Sequence, residues 1–157
     1  MTTQDDVKGW SSTVWGMAEI EVLQTLQPDS KKLIPPAEFG DNPTRLSTVG
    51  IPEKIIGGRS CCIYFFFDET TGLKEILIKT NEKNTKGYFE TFLAMLTQKY
   101  GPATIREKDA LGVEKVNWVF PSTVVELSEL DFSGIGVPSS LVSIHYRPNM
   151  CSDLSAL

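Results

Sequence analysis

The chain has 157 residues, 41% of them hydrophobic and 22% charged, with a formal net charge of −5. A length of this order is one ordinary domain and buries about 70% of its unfolded surface without help from disulfides or metal. The composition excludes a wholly disordered chain. The negative charge argues against a nucleic-acid or anionic-membrane binder, which needs a cationic surface.

Met1 to Gly9 is polar and acidic, without the basic and apolar regions of a signal peptide. The chain as it stands therefore reads as cytoplasmic, or as periplasmic if a leader has been trimmed. The longest apolar run, Cys61 to Phe67, is strand-length, far below the roughly 18 residues of a membrane helix, so no membrane insertion is expected.

Residues 1–13 read as a loose N-terminal segment, with Trp10 outside any predicted element, an exposed anchor or part of an ordered tail. Residues 14–147 read as the single domain, and 148–157 as a tail. Ile20, Val22, Leu23 and Leu26 form the stripe of a short first helix that Pro28 ends. Trp15, just before it, is expected to pack back on the core. Residues 30–43 carry Pro35, Pro36, Gly40 and Pro43 and read as loop.

Arg45 to Ile51 and Lys54 to Ile56 are strand-like, interrupted by Pro52, with a bend or bulge at Gly57-Gly58. Ser60 to Phe67 is the strongest strand, rich in β-branched and aromatic residues. Asp68 to Gly72 is a hairpin loop, and Leu73 to Thr80 is its return strand.

Thr85 is a plausible N-cap for a second helix whose stripe is Phe89, Phe92, Leu93, Leu96 and Tyr100. Lys99, Gly101 and Pro102 supply its stop signal. Ala103 to Lys108 is a candidate short strand. Three more follow: Val113 to Phe120, a tight turn at Pro121-Ser122, Thr123 to Leu130, a loop over 131–139, and Leu141 to Arg147. Val116, Trp118 and Phe120, then Val125 and Leu127, then Val142, Ile144 and Tyr146 are the core-facing sets. The expected fold is α+β with an antiparallel sheet in the order α-β-β-β-α-β-β-β. The hairpin-length connections exclude parallel pairing, which needs a crossover. Residues 14–80 and 85–147 each read as a helix followed by a meander, a tandem pair in architecture without residue identity between the halves.

Catalytic signatures are few. The chain lacks a nucleophile elbow, a phosphate-binding glycine loop and a zinc-binding helix motif. His145 is the one histidine, and it falls on the strand face opposite Ile144 and Tyr146. Glu126, Glu129 and Asp131 point to different faces and do not converge on one site. Of Cys61, Cys62 and Cys151, the first two are adjacent on a strand and point to opposite faces, so they should not bond to each other. Without a C-x-x-C pair and with a single histidine, no metal site is expected, and no cofactor.

Trp15-Gly16-Met17, then Glu21-Val22, resembles the W-G-M-S-x-x-E-V start of many small bacterial proteins of unknown function, often periplasmic or lipoproteins. Lys99-Tyr100-Gly101-Pro102, Trp118, Val125, Leu127, Ile144 and Tyr146 follow the rest of that pattern. Ala18 departs from it where the pattern has a capping Ser, a loss of about 1 kcal/mol unless another group compensates. The architecture is also similar to the helix-plus-meander modules of the β-lactamase inhibitor protein and of small outer-membrane assembly lipoproteins. That resemblance implies a module that binds proteins and catalyses nothing.

The expected function is a non-catalytic protein-binding or accessory module, its partner another protein or a second copy of itself through a sheet face. The alternative is a small-molecule-binding or enzymatic domain with an aromatic-lined pocket between sheet and helices. A deep pocket of about 300 Å³ or more with convergent polar groups favours the alternative, and a filled core with an exposed apolar sheet face favours the first. If the loop 68–72 sets the hairpin register, Phe67 lies opposite Leu73, Phe65 opposite Glu75 and Ile63 opposite Leu77. The face with Glu75 and Lys79 is then the outer one. Ile63, Phe65 and Phe67 become the candidate apolar binding patch, unless the loop 30–43 or a second copy covers them.

Overall fold

Alternation along Arg59–Asp68 puts Cys61, Ile63 and Phe65 on one face, each with no exposed surface, and that face is the core. The computed structural model describes residues 6–40, 44–82, 87–110, 113–131 and 140–150. Among these, the elements in chain order are α1 (Glu19–Thr25), β1 (Lys31–Phe39), β2 (Arg45–Ile56), β3 (Arg59–Asp68), β4 (Gly72–Thr80), α2 (Tyr88–Tyr100), β5 (Ile105–Lys108), β6 (Val113–Val119), β7 (Thr123–Asp131) and β8 (Ser140–Pro148). The strands pair antiparallel in one sheet, in the order β1-β2-β3-β4-β8-β7-β6-β5. The fold is α+β. Each helix leads into a four-strand meander. The two meanders join through their last strands, with Ile78 opposite Ile144.

Each half therefore has a strand beyond the three of the expected order. The segment 30–43 was expected as loop, yet Lys31–Phe39 is a strand. Its prolines are tolerated because β1 lies at the sheet edge and pairs only with β2. The pairing skips from Lys32↔Val49 to Ala37↔Ser47, so Pro35 and Pro36 sit where the ladder is broken. A similar irregularity between Ile51 and Lys54 lets β2 run through Pro52. Gly57 and Gly58 make the two-residue turn into β3, with φ of 59° and 77°, the pair of positive values that a tight hairpin turn requires.

Both helices pack on the core face, α2 with the larger share. Phe89, Phe92 and Leu96 of α2 are buried in the core, as their spacing predicts, with β7 the strand the helix lies closest along. The helix starts after Gly87, whose φ is 83°. The expected cap, Thr85, lies outside the described residues. At the other end the Gly101 N–H donates to the Thr97 carbonyl at 2.8 Å. The Trp118 indole donates to the Gly101 carbonyl at 2.9 Å, which ties the helix stop to β6. Val116, Trp118, Phe120, Val125, Leu127, Val142, Ile144 and Tyr146 all join this core.

In α1, Val22 is fully buried, but Ile20 is 58% exposed, so the stripe is narrower than the sequence pattern implies. Ala18 caps nothing with its side chain. Glu21 Oε1 compensates in part by accepting from the Ala18 N–H at 3.1 Å, the half of a capping box that does not need a hydroxyl.

The N-terminal segment is not loose over its described part. Asp6 accepts from the Ser122 N–H at 2.9 Å. The Thr123 hydroxyl donates to the Val7 carbonyl and accepts from the Trp15 indole, the latter at 2.8 Å. Trp10 is a core residue at 8% exposure, its ring centroid 6.2 Å from that of Phe65. Sequence reasoning placed it outside because its burial depends on β3, far away in the chain. Gly16 and Met17 exchange backbone hydrogen bonds with Leu73 at 3.0 and 2.8 Å, so the Trp-Gly-Met segment is a splice onto β4. The start of the tail is also held: the Asn149 side chain donates to the Phe120 carbonyl at 2.7 Å. The expected loop over 131–139 lies outside the described residues except at Asp131, the last residue of β7.

Candidate functional site

The β3–β4 hairpin decides which side of the sheet is available. Phe67 lies opposite Leu73 as expected, but the next pair is Phe66↔Glu75 and then Phe65↔Ile76. Lys74 is an extra residue in β4, a bulge. A one-residue shift moves every side chain beyond it to the other face. This corrects the expected patch. Ile63 and Phe65 are completely buried in the core, Phe65 beside Trp10, and Phe67 is a half-buried residue packed against the same core.

The opposite face carries Tyr64 and Phe66 instead. Phe39, reaching over from the edge strand, meets their rings edge-on at centroid distances of 4.8 and 5.3 Å. Cations cap this aromatic cluster. The Arg45 guanidinium lies 4.8 Å from the Phe66 ring centre, and the Lys79 ammonium 5.8 Å from that of Phe39. Phe66 is buried at 2% exposure but stands apart from the main core, which marks this as a second, thin apolar layer. The Cys62 thiol donates to the Tyr64 hydroxyl at 3.3 Å. That contact, with burial, pushes Tyr64 up to about 12, so it stays a neutral phenol.

An ionic row continues across the sheet. Glu75 pairs with Arg45, and His145 Nε2 lies 2.8 Å from the same carboxylate oxygen without an aligned hydrogen bond. Burial alone would raise the Glu75 carboxyl, but His145 and Arg45 outweigh it and hold it down to about 2. On β7 and β8, Arg147 lies 3.5 Å from Glu126, and the hydroxyls of Ser128 and Ser143 lie 3.0 Å apart. His145 is thus on the face the alternation predicts, and its carboxylate neighbour comes from β4. Glu126 turns to Arg147. The row was invisible in the sequence because β4 and β8 meet only in the sheet.

The two faces also separate the neighbouring thiols. Cys61 is buried on the core side and Cys62 half-buried on the other, both free. Burial pushes Cys61 up to about 11, so it is inert as a nucleophile at neutral pH. Cys151 lies outside the described residues. Among the described residues, no cluster of three or more His, Cys, Asp or Glu is placed to hold a metal ion, and no helix is long and apolar enough to cross a membrane.

On the core side a cleft of about 360 Å³ lies between the C-terminal half of α2, the end of β2 and the N-terminal segment. Ile78, Ile144 and Tyr146 contribute from the sheet, with Trp10 beside them. It has the volume of a small-molecule site but is an open cleft rather than a deep pocket. Its aromatic lining is a tryptophan and a tyrosine, with no phenylalanine. No family model, no curated protein and no solved structure matches this chain.

Proposed function

We propose that the chain is a non-catalytic protein-binding module whose partner seats on the sheet face opposite α2. The observation that carries this reading is the cluster of Phe39, Tyr64 and Phe66 under Arg45 and Lys79, on a face that neither α1 nor α2 packs against. Tyrosine and arginine are the residue types that dominate protein–protein hot spots. Arg45 is here held in place by Glu75, and Tyr64 by the Phe39 ring and the Cys62 thiol, which lowers the entropy lost on binding. Glu75 and Glu126 are each matched by an arginine, so Lys79 leaves this patch locally positive within a chain of net charge −5. The partner is therefore a protein presenting an acidic segment beside an apolar one.

The test is comparative capture with the wild-type chain, Tyr64→Ala and Lys79→Glu, followed by direct titration of the recovered protein in purified form. The expected result is one partner that binds the wild type and is weakened about tenfold or more by either substitution, with the thermal midpoint of Lys79→Glu unchanged. Self-association of the wild type in sedimentation, abolished by Lys79→Glu, would identify a second copy as the occupant instead. A partner insensitive to both substitutions would refute this face.

A further inference from the structure

The cleft on the core side exists because the covering layer is too small for the sheet. Eight strands at about 4.8 Å spacing extend roughly 34 Å. The longer covering helix, α2, has 13 residues and is about 20 Å long and 10 Å wide, and α1 adds only Val22, Leu23 and Leu26 to the layer. The N-terminal segment fills part of the remainder with Trp10, and the gap left beside it is the cleft. Its inner surface is apolar: Ile78, Ile144 and Leu96 are core residues that also line it. Met95, unbranched and adaptable, lines it from α2.

The charged groups are of one sign. Lys54 from β2 and Lys99 from the last turn of α2 both line the cleft, and no Asp or Glu does. Among the described residues the acid paired with either is Asp29, 3.7 Å from Lys54, with both side chains substantially exposed, so the pair is weak and easily exchanged. Lys99 lies over the Tyr100 ring at 5.3 Å, and Tyr100 in turn shares a 2.7 Å hydroxyl contact with Tyr146. Burial pushes the Tyr146 phenol well up, so this wall of the cleft stays uncharged at any physiological pH.

We infer that the cleft binds a linear aliphatic carboxylate, its chain against Ile78, Ile144, Leu96 and Trp10 and its head group between Lys54 and Lys99. A methylene fills about the space of a water, roughly 30 Å³, so a chain of about ten carbons fits the cleft. The site is on the opposite side of the sheet from the proposed protein-binding face, so the two stand or fall separately.

The experiment is calorimetric titration of the full chain with sodium decanoate, decanol and decyltrimethylammonium, which share a tail and differ in head-group charge. Decanoate should bind one to one. Decanol should bind about tenfold more weakly, the loss expected for a charge-assisted hydrogen bond, and the ammonium compound should not bind. Lys99→Glu, an exposed change that leaves the core intact, should weaken decanoate by about tenfold or more and leave decanol unchanged. Met95→Trp should block all tails by filling the cleft. Equal binding of the three head groups, several molecules per chain, indifference to Lys99→Glu, or no heat up to about 1 mM decanoate would each overturn the assignment.

Discussion

Removing the Phe65 side chain tests the register of the β3–β4 hairpin. If Lys74 is the bulged residue, Phe65 is opposite Ile76 and wholly inside the core, against Trp10. Truncation of a fully buried phenylalanine loses the transfer energy of the ring and leaves a cavity, about 3–5 kcal/mol for Phe65→Ala. Phe65→Ser adds the cost of an unpartnered hydroxyl, about 1–3 kcal/mol more. In a domain of this size each kcal/mol lowers the melting temperature by about 2–4 °C, so Phe65→Ala should melt roughly 6–20 °C lower. Urea unfolding followed by circular dichroism measures the free-energy loss directly. A double-mutant cycle with Trp10→Ala should show a coupling of about 0.5–1.5 kcal/mol from the ring pair. A loss below about 1 kcal/mol for Phe65→Ala, the range of ordinary surface changes, would mean that Phe65 faces solvent and that the bulge is misplaced.

Gly72 has φ of 76°, and an added Cβ would lie 2.3 Å from the Gly16 carbonyl oxygen. Gly72→Ala should therefore cost about 3 kcal/mol or more by breaking the splice between the N-terminal segment and β4, read as a fall in the urea midpoint. Glu75 is held at about 2 against an ordinary value of 4.5, so its stabilisation is complete above about pH 4.5 and is lost as pH falls toward 2. Solvent screening at the half-exposed Arg45 limits the effect to about 1–2 kcal/mol, and Glu75→Gln should flatten the stability-versus-pH curve in that window. Iodoacetamide should label the half-buried Cys62 and spare Cys61 until the chain is unfolded, as read by fragment mass spectrometry; native labelling of Cys61 would contradict its burial.

The elements themselves were legible because their signals are local. The Phe89, Phe92, Leu96, Tyr100 spacing, the Gly101-Pro102 stop and the alternation in β6, β7 and β8 each depend on a few consecutive residues, and each stands where the pattern puts it. The short turns at 68–72 and 121–122 were enough to require antiparallel pairing. Four features depended on the tertiary structure. Whether Phe65 or Phe66 faces the core hung on one bulged lysine, because a period of two turns a single-residue shift into an exchange of faces. Lys31–Phe39 is a strand only because a sheet edge tolerates prolines that an interior position would reject. The Glu75–His145 contact and the burial of Trp10 join residues 70 and 55 positions apart, respectively. No local pattern encodes such contacts, since they arise when the last strands of the two meanders pair and when the chain's start fills the space that the two helices leave uncovered.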